Sequence, residues 1–474
     1  MADEETTKPP ASVGCCGVRH WQILLHFSFY VIIIAIEMSL SATLPAMLVT
    51  NPKLENLTNA SISQMFTSFM LAFTATELFG GYICKKFGFR WPMMIFMGVL
   101  TAVTLNFATI SNEYGVGGIV FCRAVQGVCS GLLYAMPAEA INRWSPIKER
   151  TTFGTTVYAG GILGTAMALF MGSYLSSGTN LKYTSIYTTT GYLALIWVVL
   201  MAMYGADSPE QYPKEISQVE LDYIVNNRGN VTTSKTVQIP WGKIFTSMPF
   251  WAIVVAQIGA GWMFYVLAVN VPIYLRFHYE VNLNHNNLVA VINLITWVLS
   301  FAISGIAQLL INENRTSIGQ SRKIFNTIGS CVPAIFFLYL SFGLNGNQYV
   351  GIALWVIVSV CSVGTICGSR LNCNDITTNF SSIVYGTATW ISLLFNEISA
   401  IVLNSHFDLW NVVFIYSGIL VICTSLFYLK FASGEEQDWN NIYENVGDEE
   451  MDLSKSTSRS EVDEKKYLLF IRKQ

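Results

Sequence analysis

Charge is what this 474-residue sequence has least of: Asp, Glu, Lys and Arg make up 12% of it, against 52% hydrophobic residues. Soluble domains carry about 25% charged residues, so soluble enzymes, nucleic-acid binders and disulfide-knit secreted domains are excluded at the outset. A phosphate loop is also missing. No GxxxxGK[ST] occurs, which argues against an ATP-driven pump. The ten cysteines show no paired CxxC or HxxxH spacing of a metal site. Cys84, Cys122, Cys129, Cys331, Cys361, Cys367, Cys373 and Cys423 fall within or beside apolar stretches and read as small buried residues. Cys15 and Cys16, just ahead of the first apolar stretch, are candidates for palmitoylation. Residues 1–10 lack a basic segment ahead of a short apolar core, so no cleaved signal peptide is expected.

What is abundant is apolar sequence in long pieces. A helix crossing the hydrocarbon core needs roughly 20 apolar residues. Twelve such stretches lie near 22–48, 64–84, 92–110, 118–140, 153–175, 185–205, 249–275, 287–311, 325–343, 349–371, 382–403 and 409–431. The polar interruption 206–248 divides them six and six. The expected fold is an all-α membrane protein with twelve transmembrane helices in two six-helix pseudo-symmetric halves. Residues 1–21 form an N-terminus, 22–205 and 249–431 the two halves, 206–248 a central loop and 432–474 an acidic tail.

Of the 27 Lys and Arg residues, Lys53, Lys182 and Arg276 fall in the loops of one side and Arg123 lies within the fourth stretch. The others sit on the opposite side, and by the positive-inside rule both termini and the central loop are cytosolic. The sequons at Asn56 and Asn59 then face outward, where glycans are added, whereas those at Asn230 and Asn314 face the cytosol and are discounted. The tail carries about twice as many acids as bases and reads as a solvated, unstructured segment. Within it Glu464, Leu468 and Leu469 have the spacing of an acidic dileucine sorting signal, and Tyr443 to Val446 that of a tyrosine-based one. Sorting adaptors are thus expected partners, with residence in an endolysosomal or vesicular membrane, or the plasma membrane.

The loop GGYICKKFGFR, Gly80 to Arg90, resembles the signature loop of major facilitator carriers, with Lys85 where that signature usually has aspartate. RAVQGVCSGLLYAMPAEAINRWSPIKER (Arg123 to Arg150) and YAGGILG (Tyr158 to Gly164) are similar to the fourth and fifth spans of one branch of those carriers. DSPEQYP, WMFYVLAVNVPIY, SRKIFNTIGSCVPA, NDITTNFSSIVYG and FASGEEQDW follow in the same order. That branch, of anion:cation symporters, contains sialin, the vesicular glutamate transporters and the sodium–phosphate cotransporters. The resemblance covers nearly the whole chain and identifies it as a divergent member. It implies alternating access between two halves, no cofactor, a coupling ion (H+ or Na+), and a small-molecule solute as partner alongside the lipid bilayer.

An ionisable side chain near the bilayer centre costs about 2.5–3.5 kcal/mol on insertion scales and asks for a partner or a purpose. The candidates are Glu37, Glu77, Arg123, Glu139 and Glu397, with Arg370 at a span end. The resemblance implies an arginine where Glu37 stands, a glutamate at Ser130 and a histidine at Ala138. Arg123, Tyr134, Tyr158, Tyr265 and Asp375 match the family. Charge is therefore relocated rather than deleted. Glu37, Arg123, Tyr134, Tyr158, Tyr265 and Arg370 are the expected solute-binding residues, and Glu37 and Glu139 the candidates for ion coupling. For Glu37 the competing reading is a structural pairing, with Arg370 or another group, that holds the halves together. Glu139 lies within about two turns of the interface, where water or an adjacent helix can satisfy it. Glu77 is read as tying the signature loop to a neighbouring helix, and either Glu397 or Asn396 as the inward residue of its span. Gly127 with Gly131, and Gly160 with Gly164, have the four-residue spacing that lets helices approach closely. The expected function is secondary active transport of a small organic anion or inorganic phosphate. The reversed charge at Glu37 keeps a zwitterionic or cationic solute, or a non-transporting sensor, as alternatives.

Overall fold

A backbone inside hydrocarbon has no water to bond, so apolar stretches satisfy their amide groups as helices. The structure, a computed structural model, describes residues 17–50, 58–176, 183–212, 214–231, 238–279, 285–342, 348–404 and 410–441. The first half comprises α1 (Val18–Thr50), α2 (Asn59–Phe87), α3 (Arg90–Tyr134), α4 (Met136–Trp144), α5 (Arg150–Ser176) and α6 (Thr184–Tyr204). A short α7 (Gln218–Asn227) and α8 (Trp241–Thr246) lie in the central segment. The second half comprises α9 (Met248–Tyr265), α10 (Val271–Tyr279), α11 (His285–Asn312), α12 (Ile318–Ser341), α13 (Gln348–Thr365), α14 (Leu371–Ile376), α15 (Ser381–Asn404) and α16 (Trp410–Phe431).

Nine helical segments among the described residues are long and apolar enough to cross a membrane. One of them, Arg90–Trp144, breaks at Gly115, whose φ of 60° and ψ of −134° reverse the chain between two crossings. A side chain there would be strained, and glycine removes that cost. Both α2 and α15 also have crossing length, 29 and 24 residues, but carry more polar faces. Those faces pack on each other rather than on lipid. Dividing Arg90–Trp144 at Gly115 and adding α2 and α15 to the other segments gives twelve helical stretches of crossing length among the described residues.

Within the first half α1 packs on α5 and α6, and α3 on α2 and α6; within the second, α12 packs on α13 and α16, and α9 on α15 and α16. The halves meet through two helix pairs, α2 with α15 and α5 with α11. Backbones come very close at the first pair, where a Cβ on Gly81 would lie 2.6 Å from the Ser382 carbonyl oxygen. The spaced glycines act within a half: a Cβ on Gly164 would meet the Val31 carbonyl at 2.4 Å.

The end of the bundle that gathers the basic residues is tightly bonded. Glu220 of α7 accepts from the backbone N–H groups of Val18 and Arg19, both at 3.1 Å, placing an acid at the positive end of α1. Asp207 does the same for α3, accepting from Phe89 at 2.7 Å and Arg90 at 2.8 Å. Arg19 also pairs with Glu149 at 2.9 Å. Across the halves, Asn142 donates to the Thr377 carbonyl at 2.9 Å and Asn374 to the Ala138 carbonyl at 2.7 Å. Glu139 is only 1% exposed, so of the two ways its position offered, water and an adjacent helix, water is not the one used. Instead it pairs with Arg143 at 3.0 Å and accepts from Ser381 and Ser382 of the other half. Lys85 is buried too, with its ammonium 5.3 Å from the centre of the Phe380 ring. In this state the basic end is closed.

Candidate functional site

Two crossings of the second half change helical pitch midway. Val266–Asn270 and Ile366–Arg370 are π-helical turns, and Gly368 in the second has a non-helical ψ of −105°. Such turns recur at functional sites because they re-aim side chains. Here the second carries Arg370 into the bundle interior rather than to a span end. Its guanidinium lies over the faces of Tyr158 at 5.1 Å and Tyr385 at 5.9 Å. Nη2 donates to the Tyr134 hydroxyl over a long 3.5 Å. Tyr30 completes the enclosure, with its ring 5.5 Å from both Tyr134 and Tyr158 and its hydroxyl donating to the Tyr134 carbonyl at 2.9 Å. Tyr158 and Tyr385 stack at 5.6 Å across the two halves. Their buried hydroxyls have no hydrogen-bond partner. Rings of this kind attract a guanidinium through their electron-rich faces, and the attraction grows when water is excluded.

A second charged group lies further toward the opposite end. Glu37 follows Tyr30 by about two turns of α1 and is half-buried. It interacts electrostatically with Arg123 and Tyr134 but lies beyond ion-pair distance of Arg123. Arg123 is buried, donates to Gln126 Oε1 at 3.2 Å and sits 4.3 Å from the centre of the Phe69 ring. Gln126 passes the contact on to Thr104 at 3.1 Å. Tyr134 is the residue common to both groups.

The structure therefore brings Tyr134, Tyr158 and Arg370 together, and places Glu37 beside Arg123. Glu37 does not pair with Arg370. Tyr265 stands apart, half-buried at the end of α9 against Trp262 at 5.4 Å. Glu139 belongs to the closed basic end. Asn59 is exposed as the first residue of α2, at the end away from the basic residues. Asn56, Glu464, Leu468 and Leu469 lie outside the described residues. Both members of the pair on α15 face other helices: Glu397 accepts from Thr74 Oγ1 of α2 at 2.8 Å, and Asn396 packs on α9, where a Cβ on Gly261 would lie 2.5 Å from its Nδ2.

Sequence reading missed Tyr30 and Tyr385. Tyr30 had a usable signal, since it shares a helix face with Glu37. Tyr385 lies in the quoted NDITTNFSSIVYG segment, but nothing local marks it out, because the rings it stacks on, Tyr134 and Tyr158, lie more than 200 residues earlier in the chain. No group of three or more His, Cys, Asp or Glu side chains among the described residues has the arrangement of a metal site.

Residues 22–393 match the family model of the Major Facilitator Superfamily. Human sialin is 26% identical, covering 92% of this chain and 95% of that protein. Bovine vesicular glutamate transporter 1 is 27% identical over 78% of this chain and 67% of its own length. A putative inorganic phosphate cotransporter of Drosophila ananassae is 26% identical over 83% of each. Among solved structures, the proton:xylose symporter XylE superposes with a TM-score of 0.67 at 15% identity, covering 88% of this chain and 97% of that one. The Escherichia coli fucose:proton symporter gives 0.61 at 10% identity. Helices, halves and family model agree: this chain belongs to the Major Facilitator Superfamily and is a multi-pass membrane transporter, not an enzyme.

Proposed function

We propose that the protein moves a small organic anion, or inorganic phosphate, by alternating access, and that a proton gradient drives it through Glu37. The observation that carries this reading is Arg370. Its fixed positive charge sits between the halves in a water-poor cage, one long hydrogen bond short of being unengaged. Such a group binds an anion strongly once the anion is desolvated. Tyr134 and Tyr158 supply hydroxyls and ring faces to an otherwise apolar pocket, and Tyr265, outside the cage, is left as a residue of the solute path. Arg123 offers a second cation nearer the other entrance, and Glu37 beside it is the acid that takes the coupling proton. Glu139, held by Arg143 and two serines, is the second acid of this reading and acts at the closed end. The named substrates of the vesicular glutamate and phosphate relatives fit an anionic solute. Sodium coupling is the competing possibility for the ion.

A zwitterionic or cationic solute is the second reading, favoured by the acidic group at Glu37. Both termini are placed in the cytosol, Asn56 and Asn59 on the glycan-bearing side, and the protein in an endolysosomal or vesicular membrane. Its tail recruits sorting adaptors through Glu464, Leu468 and Leu469. A double Leu468→Ala, Leu469→Ala variant with unchanged distribution in cells would sink the address. For transport, proteoliposomes are offered labelled L-glutamate, orthophosphate, lactate, alanine and choline under imposed pH and sodium gradients. Accumulation of an anion driven by the pH gradient, and its loss in Glu37→Gln, is the expected result. Uptake by Glu37→Gln equal to that of the wild type would remove Glu37 from coupling. Binding without accumulation by any gradient would make the protein a sensor.

A further inference from the structure

Two acids and two arginines of the interior lack a full set of partners, Glu37, Glu77, Arg123 and Arg370, but they are not equivalent. Glu37 and Arg123 sit on α1 and α3 of one half and travel together when the halves rock. Glu77 sits on α2 of the first half and Arg370 on the π turn of the second. Their separation is therefore a variable of the transport cycle.

Glu77 has an unusual environment. It is 0% exposed, and neither carboxylate oxygen has a hydrogen-bond partner. The charged and titratable groups that face it come from three directions: Tyr134 on α3, Tyr385 on α15, and Arg370 at the end of its π turn. From α4 the nearest acid, Glu139, is already held by Arg143, Ser381 and Ser382 toward the basic end, with Lys85 beside it. On the other side Glu397 is engaged by Thr74. Among the described residues Arg370 is thus the cation that acts on Glu77, and the two make no ion pair. At Glu77, α2 packs on α15 beside the Tyr385 ring that carries the guanidinium, where a Cβ on Gly386 would lie 3.5 Å from the Glu77 carbonyl oxygen. An ionised carboxylate enclosed without donors is heavily penalised, whereas its neutral form is tolerated. An enclosed arginine without a counter-charge is penalised in the same way. Each group has what the other lacks.

We infer that Glu77 and Arg370 are a proton-gated charge pair across the two halves, in which Arg370 is free to hold an anion only while Glu77 carries a proton. In the arrangement described here Glu77 is neutral and the guanidinium rests on the tyrosine rings, open to an anionic group. When Glu77 gives up its proton, its carboxylate is drawn to Arg370 and competes with the anion, and the movement shifts α2 against α15. Gly81 lies one turn further along α2, where backbone contact with Ser382 transmits any displacement to the other half. Charge balance then requires one proton and one anion to enter together. This inference rests on Arg370 as the anion site and adds Glu77 to the acids of that reading. Glu77 acts through Arg370 and is a positioning residue.

The test contains no solute, so its failure and that of the anion reading can be told apart. Spin labels are placed on Lys86 and Arg315, exposed at the basic end of each half. Their separation is measured in lipid nanodiscs between pH 5 and pH 8. The wild type is expected to show two distance populations exchanging with pH. Glu77→Gln is expected to hold the low-pH population throughout, Glu77→Asp to exchange with a displaced midpoint, and Glu397→Gln to behave as wild type. If Glu77→Gln fails to fold, Arg370→Gln carries the test, because a carboxylate with no cation to approach gives no pH-dependent movement. A wild type without pH response, or a Glu77→Gln or Arg370→Gln protein with an unaltered response, overturns the inference. Loss of the response in Glu397→Gln overturns it as well, since any change at that interface would then suffice.

Discussion

Two buried arginines meet the same π turn and have opposite surroundings. Arg322 of α12 is 2% exposed and fully engaged: Nε donates to Asp375 at 2.6 Å, and Nη1 to the Cys367 carbonyl at 2.8 Å and to Thr151 at 3.2 Å. Arg370, three residues after Cys367, has one 3.5 Å hydrogen bond and aromatic faces. A cation whose donors are all satisfied fastens helices. One that is enclosed and left with unused donors is held ready for something else. Conserving the charge is not enough to distinguish them; the count of acceptors is.

The contrast is broken most severely at Arg322. Asp375→Ala leaves that guanidinium buried without its counter-charge, and a loss of about 3–5 kcal/mol is expected. Thermal unfolding in detergent reads this directly, and a protein as stable as wild type would mean the pair is solvated. At Arg370 the order reverses. Arg370→Ala is expected to leave stability nearly intact but lower uptake of the anion about a hundredfold, equivalent to ~3 kcal/mol. Arg370→Lys is not expected to rescue it, because a compact ammonium cannot spread across two ring faces. Recovery by lysine would show that a point charge suffices. A smaller effect is expected from Tyr385→Phe, which keeps the ring and removes an unpartnered hydroxyl. It is expected to raise KM by about fivefold, near 1 kcal/mol, with little change in maximal rate. Equal losses in both quantities would assign the hydroxyl to the translocation step.

The smallest effect concerns an ion pair outside the spans. Glu210 is partly buried, which by itself raises the carboxyl, but hydrogen bonds from Arg228 outweigh that and hold it below the usual carboxylate range. A depressed acid contributes stability above its unfolded value, near 4.3, and loses that contribution as pH falls through its lower folded value. The wild type is therefore expected to lose slightly more stability than Glu210→Gln on acidification below about pH 4. Its partial exposure limits the difference to a fraction of the value of a buried pair. Identical acid profiles would show the pair to be idle.

How far the site was legible depended on how local its parts are. Glu37 stood out because it lies alone in an apolar run, and Arg123, Tyr134 and Tyr158 lay in segments with recognisable order. Glu77 was visible as an intramembrane acid, but its sequence neighbours suggested only a link to the adjacent loop. For Glu139 the sequence left water and an adjacent helix open, and serines of the second half decide for the helix. Arg370 seemed to end a span, because an apolar window stops at a charge, and the π turn that carries it inward leaves no mark in composition.

The sequence by itself determined the class of molecule. Hydrocarbon imposes helices on long apolar runs and confines basic residues to one end, and both effects are local enough to read along the chain. Tertiary structure alone decided which charges are fastened and which are left available. That depends on which acceptors folding brings around each guanidinium. Arg322 meets Asp375 and the Cys367 carbonyl of its own half and Thr151 of the other, whereas Arg370 meets one tyrosine hydroxyl and ring faces. Residues so far apart in the chain are brought together by helix packing alone.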